Sequence, residues 1–225
     1  MELLEGNIYL DLYKVGVVVG RFQVAELTEG HKALINQALS ENNDVIIFLG
    51  SEQKDALSKR NPLPFEVRKD MILSEFKDFE YKISIYPLED KHFFPLWVAN
   101  LDSMIISLGE AIRPTNFNPM GEDTIISKNV YTLYGGRDSF LKGYIKYTYS
   151  TFEFKKIDFG INSVSGTQQR KEIVEEYIKK RNNNEPFPYE FIAGMNYLKD
   201  SNNEIINSVN FRKGLITFVN LMDNY

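Results

Sequence analysis

The chain contains no cysteine among its 225 residues. Disulfides, thiolate nucleophiles and cysteine-ligated zinc are excluded together. Only two histidines are present, so a histidine-rich metal centre is excluded as well, and no protein-borne metal site is expected. No apolar run approaches the roughly 18 residues of a membrane helix, and Met1-Glu2-Leu3-Leu4-Glu5 lacks the basic start and apolar stretch of a signal peptide. A membrane partner is not expected, and the cytoplasm is the expected compartment. Basic excess is missing too: the net charge is −5, which argues against a nucleic-acid partner. The Walker A pattern G-x-x-x-x-G-K-(S/T) is also absent, and with it the P-loop class of ATPase.

What is present is a chain with 43% hydrophobic and 13% aromatic residues, enough for one substantial core with a small appendage. Apolar β-rich runs alternate with helical patterns. Val15 to Val19, Val45 to Leu49, Tyr81 to Tyr86, Val130 to Tyr134 and Thr151 to Asp158 read as strands. Between them, Leu34, Ile35, Ala38 and Leu39 recur at helical spacing, and helices are expected over about Phe65 to Phe76, Leu96 to Leu108 and Gln168 to Arg181. Such alternation predicts an α/β fold with a doubly wound, Rossmann-like parallel sheet of five or so strands. Asn182-Asn183-Asn184-Glu185-Pro186 reads as a helix stop and linker. One domain over 1–184 with a short C-terminal extension over 185–225 is therefore expected, the extension holding a helical stretch at Tyr189 to Leu198 and a short strand at Leu215 to Val219.

The most informative stretch is Gly20-Arg21-Phe22-Gln23, followed by Thr28-Glu29-Gly30-His31. It lies between the first strand and the first helix, where glycine allows backbone to approach a phosphate and a helix start offers unpaired N–H groups and a positive dipole end. An ordinary capping turn with an exposed histidine explains Thr28 to His31 alone equally well. A second candidate is Ser163-Val164-Ser165-Gly166-Thr167-Gln168-Gln169-Arg170, before a helix carrying Ile173, Val174, Tyr177 and Ile178. Ser165 with Gln168 fits a structural capping box. The same residues, with Arg170 one turn in, also suit a polyphosphate held by hydroxyls, amides and a guanidinium fork.

Thr28-x-Gly30-His31 after the first strand resembles the (H/T)-x-G-H signature of the small nucleotidyltransferases. Gly20-Arg21-Phe22-Gln23 before it, and Ser165-Gly166-Thr167-x-x-Arg170 later, resemble more narrowly the nicotinamide mononucleotide adenylyltransferases of the archaeal and bifunctional Nudix-linked type. The resemblance covers roughly residues 14–181. It departs from the usual pattern in having Thr28 where histidine is common in that subgroup, and a preceding loop two residues longer. In the bifunctional members a Nudix hydrolase domain follows; residues 185–225 contain no glutamate-rich Nudix box.

The resemblance implies attack by the 5′-phosphate of nicotinamide mononucleotide on the α-phosphorus of ATP, giving NAD and pyrophosphate. His31, helped by Thr28, would donate to the α-phosphate, and Arg170 with Ser165, Gly166, Thr167 and Gln168 would hold the β and γ groups. Gly20, Arg21, Phe22, Gln23 and Gly30 would line the ATP side. Magnesium would arrive on the triphosphate. Gly135-Gly136-Arg137-Asp138 resembles a Gly-x-x-Asp loop in which Asp138 fixes the ATP ligand or an arginine, although a β-turn explains the glycines. For the acceptor, Trp97 would stack the nicotinamide ring, an aromatic face being suited to a cationic ring. A lone tryptophan on a helix is otherwise usually core. Arg60-Asn61-Pro62-Leu63-Pro64-Phe65-Glu66-Val67-Arg68 resembles the acceptor loop, so Asn61, Arg68 and Lys54 are the candidates for acceptor phosphate, against a plain proline-bounded helix start. A homo-oligomer is compatible with such a chain. Competing readings are another adenylyl- or cytidylyltransferase acting on phosphopantetheine, a phosphoalcohol or FMN, and a nucleotide-binding regulator that has lost its chemistry.

Overall fold

The computed structural model describes residues 2–3, 8–24, 27–50, 61, 63, 65–112, 124–136, 138–158, 168, 172, 175, 179 and 182–185. Its strands are β1 (Glu2–Leu3), β2 (Ile8–Gly20), β3 (Asp44–Gly50), β4 (Ile83–Leu88), β5 (Thr124–Gly135) and β6 (Glu153–Lys156). Its helices are α1 (Glu29–Glu41), α2 (Phe65–Glu75), α3 (Phe94–Ile112) and α4 (Asp138–Tyr147), with a 3₁₀ turn at Lys77–Lys82. Five strands pair in parallel in the order β4-β3-β2-β5-β6, and β1 adds antiparallel to β2. The chain winds outward from β2 to β4, then returns to place β5 and β6 on the other side. Strand order therefore reverses between β2 and β5, and outside the carboxyl ends of those two strands lies the crevice where such sheets bind ligands.

Burial on both faces explains the near-continuous apolar runs. Along β3, Val45, Ile47 and Leu49 point to a core with Leu34, Ile35 and Ala38 of α1 and Met71 and Ile72 of α2. Ile46 and Phe48 point to the opposite core with Val98, Leu101 and Ile105 of α3 and Leu141 and Tyr144 of α4. The expected doubly wound α/β sheet is what the chain forms.

Four elements differ from expectation. β2 and β5 extend well before their apolar runs because they pair with each other from Ile8↔Thr124 to Val18↔Tyr134; backbone hydrogen bonding carries the pairing through polar positions. Tyr81 and Lys82 belong to the 3₁₀ turn instead of a strand, and β4 starts at Ile83, the first buried residue there. The helix α4 was not expected, since Gly143 and a run of aromatics disguise it. Phe140, Leu141, Tyr144 and Tyr147 nevertheless recur at helical spacing and pack in the α3-side core. Gly143 admits the Phe94 ring, whose nearest carbon would lie 3.4 Å from an added Cβ.

Over the helix expected from Gln168 to Arg181, residues 168, 172, 175 and 179 are helical and exposed, and residue 182 continues the helix. The Gln168 side chain donates to Glu172 across one turn at 2.9 Å. Asn184 takes a left-handed backbone, φ 56°, which ends the helix where a stop was expected. The stretches at Tyr189 to Leu198 and Leu215 to Val219 lie outside the described residues.

Candidate functional site

The amino end of α1 sits immediately beyond the carboxyl end of β2. Thr28 caps it with an extended backbone, φ −70° and ψ 159°. Its hydroxyl accepts from the His31 amide at 3.3 Å, and the imidazole reaches back, Nδ1 lying 3.3 Å from the Thr28 amide and 3.0 Å from Oγ1. This is a capping box with histidine in the place usually taken by Glu or Gln. Gly30 is buried in the first turn, so the turn is closed by backbone with no side chain of its own to block an anion at the helix start. Thr28, expected to help His31, engages its hydroxyl with that residue.

The turn between β2 and α1 depends on an unusual residue. Phe22 has φ 48°, the left-handed region that a non-glycine residue adopts at a cost of about 1 to 3 kcal/mol. Its ring folds back into the core at 2% exposure and packs against His31 with ring centroids 4.8 Å apart. Gly20 makes the room: a Cβ there would lie 2.6 Å from Phe22 Cε2. The Phe22 side chain, expected on the ATP side, thus reaches the site only through His31.

Two buried polar side chains fix the backbone around this turn. Gln23 is buried; its Nε2 donates to the Leu63 carbonyl at 3.0 Å and its Oε1 accepts from the Leu63 amide at 2.8 Å. Arg68, at 1% exposure, donates through Nη1 to the carbonyls of Arg21 at 2.7 Å and Gly50 at 2.8 Å. Both side chains, expected to face ligands, are engaged with backbone in this structure. Gln23 holds both backbone groups of Leu63. Arg68 ties the carboxyl ends of β2 and β3 from a buried position. Charge-assisted bonds of this kind contribute about 1.5 to 3 kcal/mol each when desolvated. Asn61, half-buried, stands at the start of that same segment.

Arg21 is the charged side chain of the turn that faces solvent, 56% exposed and 3.5 Å from Asp90 at the end of β4. Asp90 was not singled out as a site residue; the acidic Glu89-Asp90 pair at a strand end was its available signal. Trp97, in the first turn of α3, is 9% exposed. Phe94 stacks on one ring face at 5.5 Å and Phe140 abuts edge-on at 6.2 Å. The expected open platform is covered, because α3 begins with aromatics that satisfy one another. Phe93 and Phe94 are the exposed aromatics at that helix start.

Asp138 is the first residue of α4, just past β5 and the paired glycines 135 and 136, which places its backbone on the reversal side of the sheet. Its side chain lies outside the described residues, as do Lys54, Arg137, Ser165, Gly166, Thr167 and Arg170. Gln168 is described and exposed.

Among the described residues, the gathered set at the carboxyl edge is therefore Gly20, Arg21, Phe22, Thr28, Gly30 and His31, braced by Gln23 and Arg68. The set offers a helix start, an imidazole and one exposed guanidinium, all suited to a phosphorylated ligand.

No family model matches the chain. Curated relatives do. The chain is 27% identical over 110 residues to a nicotinamide-nucleotide adenylyltransferase of Methanococcus aeolicus, a match covering 47% of this chain and 62% of that enzyme. It is 35% identical over 88 residues to the same enzyme of Picrophilus torridus, covering 39% and 50%. With the Archaeoglobus fulgidus enzyme it shares 37% over 93 residues, covering 39% and 52%. The matched stretch thus spans about half to three-fifths of these relatives. Among solved structures, a bifunctional NMN adenylyltransferase/ADP ribose pyrophosphatase from Francisella tularensis, complexed with AMP and a manganese ion, superposes with a TM-score of 0.58 at 20% identity, over 94% of this chain and 52% of that one. The chain is similar in sequence to the archaeal adenylyltransferases and shares the nucleotidyltransferase fold.

Proposed function

We propose that the chain transfers the adenylyl group of ATP to nicotinamide mononucleotide, forming NAD and pyrophosphate. The observation that carries this reading is His31, seated by Thr28 in the first turn of α1 at the end of β2, in a chain similar to enzymes named for that reaction. The acceptor phosphate is already anionic at neutral pH, so no general base or covalent nucleophile is needed. Catalysis consists of aligning two anions and neutralising charge as the bond to the α-phosphorus forms and the pyrophosphate leaves.

In this reading His31 donates to an α-phosphate oxygen, and the amides of the α1 start face the same group. Gly20 and Gly30 let the backbone approach, and Arg21 meets phosphate from the solvent side. Ser165, Gly166, Thr167, Gln168 and Arg170 hold the β and γ phosphates, and Asp138 fixes the ATP at the end of β5. On the acceptor side, Asn61 and Lys54 take the mononucleotide phosphate, and the aromatic start of α3, with Trp97 packed against Phe94, takes the nicotinamide. Magnesium, carried in on the triphosphate, screens its charge; the manganese and AMP of the Francisella tularensis structure are in keeping with a nucleotide and a divalent ion.

The test is a coupled assay: ATP and magnesium with each candidate acceptor, NAD being read by a dehydrogenase. NAD formation from nicotinamide mononucleotide, lost in His31→Ala, is the expected result. Turnover with phosphopantetheine, a phosphoalcohol or FMN instead would assign a different acceptor, and ATP binding without turnover would make the chain a regulator.

A further inference from the structure

We propose that Thr28 and Phe22 are positioning residues that lock His31 in one tautomer, with its proton on Nε2. The inference rests on the reading of His31 as the phosphate donor and adds how its ring is kept ready. The decisive contact is the Thr28 amide, which lies 3.3 Å from Nδ1. A backbone N–H can only donate, so the nitrogen it faces must accept, and in a neutral imidazole the proton then resides on the other nitrogen. The Thr28 hydroxyl adds to this. Its oxygen accepts from the His31 amide, which leaves its own proton for Nδ1 at 3.0 Å. A proton on Nδ1 would face the amide hydrogen directly and forfeit that bond.

Phe22 supplies the second restraint. Its ring packs at 4.8 Å from the imidazole with planes tilted by 40°, covering one side of a ring that the two nitrogen contacts hold by its edge. This placement goes with the left-handed φ of 48° at Phe22, and the position of the ring requires that Gly20 carry no Cβ. Gly20, Phe22 and His31 therefore form one chain of contacts: the glycine admits the ring, and the ring braces the histidine. Strain at Phe22 of the kind found at functional sites gains a purpose, since any relaxation to an ordinary backbone would withdraw the ring.

The experiment uses the full chain. Long-range ¹H–¹⁵N spectra of the ligand-free protein contain only two imidazoles, and His92→Gln assigns them. His31 is expected to show the Nε2–H pattern. Phe22→Leu is expected to lower kcat by about 10- to 100-fold, the range for a displaced catalytic group, with KM for ATP within about twofold because phosphate-binding amides are untouched. Thr28→Ser is expected to keep both the spectrum and kcat, whereas Thr28→Val keeps the amide contact and with it the Nε2–H pattern, but loses the hydroxyl's hold on the ring and lowers kcat. This pair does not disturb the core, so the proposal stays testable if Phe22→Leu fails to fold. An Nδ1–H or evenly mixed His31 in the wild type overturns the proposal, as does Thr28→Val with unchanged kcat. A wild type with the Nε2–H pattern but no NAD formation would refute the functional reading while leaving the tautomer assignment in place.

Discussion

The two ends of α1 differ in how far their polar side chains engage backbone. At the carboxyl edge of the sheet, where α1 starts, side chains bond to backbone: Arg68 to the carbonyls of Arg21 and Gly50, Gln23 to both backbone groups of Leu63, Thr28 to the amide of His31. Around the end of α1 and the start of β3 they bond mostly to one another, with Asn42 also donating to the Ala38 carbonyl and Asn43 accepting from the Lys14 amide. Tyr13 donates to Asp44, and Tyr134 donates to Glu41 at 2.6 Å while accepting from Asn42 at 2.8 Å; Lys155 closes on Glu41. The difference separates two tasks. Bonds to backbone fix the shape of a turn and leave its outward N–H and imidazole groups for a ligand, whereas side-chain pairs join one element to the next. Changes at the carboxyl edge should therefore alter chemistry, and stability as well where a buried clamp such as Arg68 is lost, whereas changes around the end of α1 should alter stability and its pH dependence without altering chemistry.

The largest expected effect is at the carboxyl edge. His31→Ala is expected to reduce kcat by about 100- to 1000-fold, the loss for one preorganised donor, while the thermal midpoint stays close to wild type because the ring is only half-buried. Full retained turnover would remove His31 from the site and with it the distinction between the two ends of α1.

Arg68→Met comes next, and it tests whether a buried cation can serve shape. The substitution fills the volume and deletes both carbonyl contacts, so a loss of about 2 to 4 kcal/mol in urea unfolding is expected, together with weakened binding of both nucleotides. A stable variant that loses only acceptor binding would instead return Arg68 to the acceptor phosphate.

How far the sequence speaks depends on how local each contact is. The Thr28 to His31 box spans three residues, and its pattern was visible as a helix start. The layered sheet was visible because Val15, Val17 and Val18 of β2 and Val45 to Leu49 of β3 are fully buried. Gln23 and Leu63 are 40 residues apart and Arg68 and Arg21 are 47 apart; nothing in spacing announces such pairs, so buried clamps were read as ligand contacts. Phe22 was ambiguous for another reason. Its role follows from a backbone angle, and phenylalanine ordinarily avoids the left-handed region. Trp97 divides the two lessons: its placement beside the strand end was legible, its cover by Phe94 was not, because aromatic residues one turn apart satisfy each other without a polar signature.

That cover can be measured. With Phe94 stacked on the indole, adding nicotinamide mononucleotide to the wild type is expected to change Trp97 fluorescence only weakly, and to quench it more strongly in Phe94→Ala. Strong quenching in the wild type, unchanged by Phe94→Ala, would mean that the nicotinamide reaches the tryptophan directly and that the aromatic start of α3 opens on binding.

The smallest effect belongs to the end of α1 and the start of β3. Burial first, then the hydrogen bond to Asp44 and the charge of that carboxylate, push the Tyr13 hydroxyl up from the ordinary 10.0 to about 12. The fold thus favours the protonated phenol. Its contribution is complete below pH 10 and disappears as the pH climbs through 12, since the unfolded chain releases the proton earlier than the folded one. Burial followed by the Glu41 contact raises Tyr134 as well, so alkaline destabilisation has more than one source. Tyr13→Phe removes one of them. Urea midpoints taken from pH 8 to 12 should fall less steeply above 10 in that variant than in wild type, while kcat at pH 8 is unchanged because Tyr13 bonds to the start of β3, away from His31. Parallel curves would mean that the Asp44 contact does not outlast exchange with water, and a loss of kcat would break the separation of the two ends.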